Sequence, residues 1–194
     1  MNLKMLLATL MVSAAIPMYA QVAPEATGAG LPLTVGVGFS NYNSDWSGYL
    51  SGPMFWADWN ISQLPSYMQG LGIELEGRDL NYVRTGTISN LREDTAGGGP
   101  IYRLRHYRRF QPYTKFLVDL GSIDFTIVGY PNYTHDTRTV LVPGGGLNYR
   151  VFQNVWVRGD YEYQFWPDLG HGNSLNPRGW TFGVAYDLRG RADR

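Results

Sequence analysis

The sequence predicts an all-β protein whose strands each carry one apolar face and one polar face. In the stretch VWVRGDYEYQFW, from Val155 to Trp166, apolar and aromatic side chains hold the odd positions, and the charged side chains lie at even positions. Successive side chains of a strand point to opposite sides, so this spacing predicts a strand with two chemically different faces. The 14 tyrosines and 24 glycines among 194 residues also favour pleated, tightly packed sheets over helices.

The composition excludes several functional classes. Lys and Arg number 16 and Asp and Glu number 16, so the formal net charge is zero and we expect no binding of nucleic acid. The absence of cysteine excludes disulfide scaffolds, thiolate metal sites and cysteine nucleophiles. The length suits one domain with a substantial core.

The first 20 residues are predicted to be a secretory signal peptide. Lys4 precedes an almost wholly apolar run over 5–16, and Pro17 precedes a cleavage expected after Ala20. This run is shorter than the ~20 residues that a spanning helix needs. No later segment approaches such a helix, so strands would have to make any membrane crossing. Residues 21–30 are predicted to be a flexible lead-in.

Eight amphipathic strands are predicted after the lead-in. They cover about 33–41, 52–61, 71–78, a segment within 96–105, 112–121, 138–149, 155–166 and 180–188. In the sixth strand the apolar positions pass from Val140 and Val142 to Leu147 and Tyr149. We therefore expect a β-bulge near Pro143 to Gly146.

The connections distinguish a membrane barrel from a soluble barrel or sandwich. Long connections rich in Gly, Asn, Asp, Ser and Pro follow strands one, three, five and seven, whereas short ones join the others, as in outer-membrane barrels. A strand of about 12 residues, tilted by about 40°, covers roughly 30 Å, enough for the ~25 Å lipid-facing band. The sequence therefore predicts an eight-stranded antiparallel up-and-down transmembrane β-barrel over residues 31–188. A short tail follows at 189–194, and both termini would lie in the periplasm.

The polar faces mix opposite charges with bulky side chains, which predicts a filled barrel interior. A Lys or Arg facing lipid at mid-membrane costs about 2–4 kcal/mol, so these charges should point inward and neutralise one another. The predicted interior network consists of Glu74, Glu76, Arg78, Lys115, Asp119, Arg158, Asp160 and Glu162. Trp56 and Trp156 would fill further space, and we expect no open solute pore.

Three stretches, LTVGVGFSNYNSDW, PGGGLNYRVFQNVWVRGDYEYQFW and GWTFGVAYDL, resemble the outer-membrane β-barrel domain family of Gram-negative bacteria. The likeness is to the small OmpA- and OmpX-like, porin-like eight-stranded barrels, and it covers about residues 31–188. It implies a location in the bacterial outer membrane, with membrane lipid and the barrel assembly machinery as partners. Barrels of this family commonly end on an aromatic residue, whereas this one has Leu188, with Tyr186 as the nearest aromatic.

The favoured function is structural support, adhesion or recognition through surface loops, without catalysis. Loops carry most binding residues in such scaffolds. The candidate contacts with an extracellular ligand are Trp46, Tyr49, Tyr130, Tyr133 and Trp166.

Two alternatives remain open. The first is a small-solute porin or channel. The second is a lipid A-modifying barrel hydrolase, in which His171 would activate Ser174 and Asp168 would orient the imidazole. One loop rich in Gly and Pro is a poor scaffold for that geometry. The three histidines lie far apart in the sequence, so no metal site is expected. The sequence has no phosphate-binding loop of Walker spacing and no H-E-x-x-H motif, and no cofactor is expected.

Overall fold

The computed structural model describes residues 32–45, 48–61, 64–65, 68–82, 91–105, 107–125, 135–169 and 173–188. The predicted signal peptide, lead-in and C-terminal tail lie outside these residues. Among the described residues, no helix is both long and apolar enough to cross a membrane.

Eight long strands and one short hairpin make up the described part of the chain. The barrel strands are β1 (Leu33–Asn43), β2 (Tyr49–Asn60), β3 (Leu71–Tyr82), β4 (Leu91–Arg103), β5 (Phe110–Phe125), β6 (His135–Arg150), β7 (Val155–Tyr163) and β10 (Arg178–Asp187). The hairpin consists of β8 (Trp166–Leu169) and β9 (Asn173–Leu175). All barrel neighbours are antiparallel, and pairing of β1 with β10 closes the sheet. The predicted eight-stranded antiparallel barrel is confirmed.

Several strands are longer than the sequence pattern suggested. The fourth strand begins at Leu91 instead of Ala96, and β5 and β6 each contain 16 residues. β1 and β2 also approach each other more closely in sequence than predicted, so the connection 44–48 is shorter than the connection 61–70. The predicted alternation of long and short connections therefore does not hold around the whole barrel. β7 in contrast ends at Tyr163, and Trp166 belongs to the separate hairpin.

The predicted bulge in β6 was wrong. Pairing between β5 and β6 continues without a break from Phe110 opposite Tyr149 to Asp124 opposite His135. Val140 and Val142 point into the barrel and are fully buried, whereas Leu147 points outward. A single regular strand therefore supplies apolar side chains to the interior at one end and to the outer surface at the other.

The outer surface of the barrel carries a belt of exposed hydrophobic side chains. The belt includes Val37, Phe39, Phe55, Leu75, Phe116, Val118, Leu120, Phe182 and Val184. Aromatic pairs flank it, since the Tyr161 and Trp180 rings lie 4.6 Å apart and the Phe110 and Tyr149 rings lie 4.9 Å apart. Such a belt with aromatic borders suits a lipid environment.

The filled barrel interior as the candidate functional site

The barrel interior contains three layers of side chains between its two ends. We call the end where β1 joins β2 the upper end and the end where β2 joins β3 the lower end. Inward side chains alternate with outward ones along every strand, so the layers follow from strand position and register. An apolar layer lies above, a charged layer lies in the middle, and a layer built on two tryptophans lies below.

The upper layer is an apolar cluster that includes the hairpin. Its members are Tyr42, Leu50, Leu80, Leu91, Leu117, Ile123, Val140, Val142, Trp166 and Leu175. The Trp166 indole lies so close to Gly121 that a Cβ atom there would overlap the ring. Its Nε1 donates to Gln164 Oε1 at 2.7 Å, and the Asn176 amide donates to Asp45 Oδ2 at 3.1 Å. These contacts hold the hairpin inside the upper end of the barrel.

Arg158 is the centre of the middle layer. Its Nη2 donates to both carboxylate oxygens of Glu74, at 2.8 and 2.9 Å, and its Nε donates to Asp160 Oδ2 at 3.1 Å. The guanidinium also lies 4.8 Å from the Trp56 ring centre and 4.5 Å from that of Tyr113. Pairing with two carboxylates and contact with two rings together hold this cation in one orientation.

Lys115 and Arg78 extend the charged layer across the barrel. Lys115 Nζ lies 2.7 Å from Glu74 and 2.9 Å from Glu76, and it also contacts Glu162. Arg78 Nη2 donates to Glu162 Oε2 at 2.6 Å. A buried charge is costly unless it is paired, and here each cation bridges carboxylates from different strands.

All eight charged residues predicted for the interior are buried inside the barrel. Seven of them join the ion-pair network, and Asp119 does not. The Asp119 side chain lies over Gly97, and neither of its oxygens has a hydrogen-bond partner among the described residues.

The lower layer combines aromatic rings with a further ion pair. Trp56 and Trp156 form a buried cluster with Met54 and Ala185. Arg103 Nη2 lies 2.8 Å from Asp58 Oδ2, which sequence analysis did not predict.

Three buried charged residues that were not predicted, Asp58, Glu93 and Arg103, can be related to features of the sequence. Asp58 lies two residues after Trp56, on the same face of its strand. The alternation around Arg103 was obscured by the GGGP segment. Glu93 was missed because the predicted fourth strand began after it, although it is fully buried.

The residues predicted to contact an extracellular ligand lie in different environments. Tyr49 is 56 % exposed at the upper end of β2. Trp166 is fully buried in the upper layer, so the prediction that it contacts an extracellular ligand was wrong. Its position two residues beyond Gln164 continues the inward face of β7, which is why it turns inside. Trp46, Tyr130 and Tyr133 lie outside the described residues.

Of the alternative catalytic residues, Ser174 is the one whose side chain lies in the described part of the chain. Ser174 is exposed in β9, and His171 lies outside the described residues. Across the described ranges, no group of three or more His, Cys, Asp or Glu side chains has an arrangement suited to a metal ion.

Comparison with known proteins identifies the family. A family model described as the outer membrane protein beta-barrel domain matches residues 6–187. The chain belongs to this family. Its place is therefore the bacterial outer membrane, and the resemblance noted in the sequence is confirmed. A search of curated proteins found no significant match.

Solved structures show the same fold at low sequence identity. Neisserial surface protein A, NspA, is 15 % identical, covering 80 % of this chain and 95 % of its own, with a TM-score of 0.63. Ail, the attachment invasion locus protein of Yersinia pestis, is 17 % identical, with coverages of 82 % and 97 % and a TM-score of 0.52. OprG from Pseudomonas aeruginosa is 12 % identical, with coverages of 82 % and 96 % and a TM-score of 0.51. These likenesses concern the fold.

Proposed function

We propose that this protein is a closed outer-membrane barrel with a structural, adhesion or recognition role, and that it is neither a solute pore nor an enzyme. The observation that carries the proposal is the filled interior. Trp166 occupies the upper layer, Arg158 the middle layer and Trp56 the lower layer, and all three are buried. An eight-stranded barrel has an interior that side chains can fill completely.

The proposed orientation places both chain ends in the periplasm. Thr34 near the start of β1 pairs with Asp187 at the end of β10, so the barrel begins and ends at its lower end. The predicted secretory signal peptide and the even number of barrel strands support this arrangement. The upper end, with the hairpin and Tyr49, would then face the cell exterior. Membrane lipid and the barrel assembly machinery are the partners that this placement requires.

Ail supports a surface role by analogy of fold. That protein is described as an attachment invasion locus protein, and it shares the barrel architecture. In the protein described here, the hairpin and the upper strand ends are the surface on which an extracellular partner would bind.

Planar-bilayer recording tests the closed barrel directly. The purified, refolded protein should give no stable conductance under conditions in which a sixteen-stranded porin conducts. Heat-modifiable gel mobility should first show that the barrel has folded. A stable, voltage-independent conductance of porin size would favour the channel alternative.

Two variants separate surface recognition from catalysis. Replacing the connection 164–177 by a Gly- and Ser-rich segment should abolish attachment of expressing cells to host surfaces while heat-modifiable mobility is retained. Unchanged attachment would contradict recognition through this connection. Ser174→Ala should leave the lipid A profile in mass spectrometry unchanged, and an altered profile would revive the hydrolase alternative.

A further inference from the structure

The lower end of the barrel carries exposed arginines on two neighbouring turns. Arg105, Arg108 and Arg109 belong to the connection between β4 and β5, and Arg150 is the last residue of β6. All four residues are exposed. The Arg150 amide donates to the Arg109 carbonyl oxygen at 2.9 Å, so the two turns lie side by side. We call these four residues the lower basic rim.

Within the described ranges, no carboxylate neutralises the lower basic rim. None of its arginines forms an ion pair there. Of the described carboxylates at this end, Asp58 and Asp187 are only 2 % and 8 % exposed. Exposed carboxylates such as Asp79, Asp94 and Asp124 lie at the upper end, beside an arginine or a histidine. The lower basic rim therefore presents its positive charge to a partner of net negative charge.

The lower basic rim begins where the lipid belt ends. Phe110 and Tyr149 pair across β5 and β6, and their rings border the belt. Arg109 and Arg150 come next along the two strands. Aromatic rings mark the interface between lipid and water, so residues directly beyond them lie at the depth of the lipid headgroups.

Exposed aromatic side chains at the same two turns favour lipid over a partner in water. Tyr107 and Phe152 are 70 % and 69 % exposed, the highest values among the large hydrophobic side chains of the described residues. In water these rings would gain no apolar burial, whereas at the membrane interface they lie among headgroups and acyl chains. The anionic groups at this depth are the phosphates of phospholipids.

We propose that the lower basic rim binds the headgroup of an anionic phospholipid, phosphatidylglycerol, with its phosphate at Arg108 and Arg109. Guanidinium groups match phosphate oxygens in geometry and charge. The ammonium of phosphatidylethanolamine would lie beside unpaired cations, which favours the headgroup that lacks it. Placing this lipid in the periplasmic leaflet rests on the proposed orientation of the barrel, whereas the binding itself does not.

Native mass spectrometry of the refolded protein tests the binding. The probes are phosphatidylglycerol and phosphatidylethanolamine with identical acyl chains, added separately at equal concentration. Wild type should retain phosphatidylglycerol in preference to phosphatidylethanolamine. Arg108→Gln with Arg109→Gln should weaken retention of phosphatidylglycerol roughly tenfold, since each arginine near an anionic lipid surface contributes to binding.

The matched control is Arg138→Gln with Arg178→Gln. These two arginines lie at the upper end, in β6 and at the start of β10, and their replacement removes the same charge. This variant should keep the preference for phosphatidylglycerol. Heat-modifiable mobility of each variant shows whether a loss of lipid reflects a loss of folding.

Three results would overturn the lipid assignment. Equal retention of both phospholipids by wild type would reject the headgroup, and equal losses in the two double variants would reject the lower basic rim as the site. The third result is cosedimentation with peptidoglycan sacculi that depends on Arg108 and Arg109, in the absence of a preference for phosphatidylglycerol. It would assign the rim to a periplasmic polymer.

A single cysteine tests the orientation separately. The chain has no cysteine, so Gln153→Cys in the turn between β6 and β7 creates one labelling position. It should resist a membrane-impermeant maleimide in intact cells and react after the outer membrane is permeabilised. Labelling in intact cells would overturn the periplasmic placement, whereas a missing preference for phosphatidylglycerol would overturn the lipid assignment whatever the labelling shows.

Discussion

The upper and middle layers of the interior are held together by opposite kinds of contact. In the middle layer, Lys115 and Glu76 point inward while Leu75 and Val118 point toward lipid. In the upper layer the polarity is reversed, since Ile123 points inward and its neighbour Asp124 points outward. The strands therefore have the pattern of a membrane barrel over most of their length and that of a soluble barrel at their upper ends.

This reversal explains why several strands were predicted too short. The predicted strands ended at Arg78 and Gly121 or began at Ala96, which are the positions where the apolar residues change sides. Past these points the outward face carries polar residues such as Asp94, and in the sequence such residues indicated a loop. Backbone pairing nevertheless continues there, because a polar outward face is suited to water above the lipid belt.

The strongest way to test the middle layer is Arg158→Met. The substitution leaves Glu74 and Asp160 buried beside an apolar side chain, and breaking a buried ion pair costs about 3–5 kcal/mol. We expect this loss in the free energy of unfolding, measured with guanidinium chloride in lipid vesicles. Adding Glu74→Gln to Arg158→Met should recover part of it, because one of the two carboxylates that lose Arg158 as a partner is then replaced by a neutral amide. A loss below 1 kcal/mol for Arg158→Met would contradict the structural role given to the charged layer.

Trp166→Ala is the corresponding test of the upper layer. Truncation of a buried Trp costs about 3–5 kcal/mol. Here most of that cost should appear as opening of the hairpin, because Trp166 supplies the large buried side chain of the hairpin and the backbone beside β8 pairs with the barrel wall at Phe165 and Leu141. Hydrogen exchange should speed up at the Asn176 amide and remain slow at amides of β5. Equal acceleration at both places would show that the upper layer is integral to barrel stability.

The substitution Gly121→Ala tests how tightly the upper layer is packed. The added methyl group would overlap the Trp166 indole, and overpacking of this kind costs about 1–3 kcal/mol. Gly77→Ala, on the outer surface, is the matched control. Its methyl group enters open space, so stability should stay the same or rise by up to about 1 kcal/mol. Similar destabilisation in both variants would show that the loss of stability comes from the backbone conformation at glycine and not from contact with Trp166.

The smallest effect is expected for Arg92→Gln. Arg92 is half exposed, although it pairs with two carboxylates at distances similar to those of Arg158. Exposed ion pairs contribute little to the free energy of unfolding, because water and salt screen them. The same guanidinium chloride titration should therefore separate this variant clearly from Arg158→Met. A loss equal to that of Arg158→Met would mean that burial does not set the difference between the two arginines.

Much of the candidate site could be predicted from alternation alone. Within the lipid belt each strand has one apolar face, so residues such as Lys115 and Glu162 were placed inside correctly from their position in the strand. Alternation did not assign a face where apolar residues change sides, as between Val140 and Leu147, or where both faces carry charges, as around Glu93. Alternation assigns a side chain to the interior or to the outer surface only when the two faces of the strand differ in polarity as they do in the lipid belt.

The sequence by itself determined that the chain forms amphipathic strands and that its mid-strand charges cannot face lipid. Only the tertiary structure decided which charges meet, since Arg158 and its partner Glu74 are 84 residues apart and come together through barrel closure. It also decided that β7 ends at Tyr163 and that Trp166 belongs to a separate hairpin. Local spacing specifies the side of a strand on which a residue lies, whereas its partners depend on strand order and register.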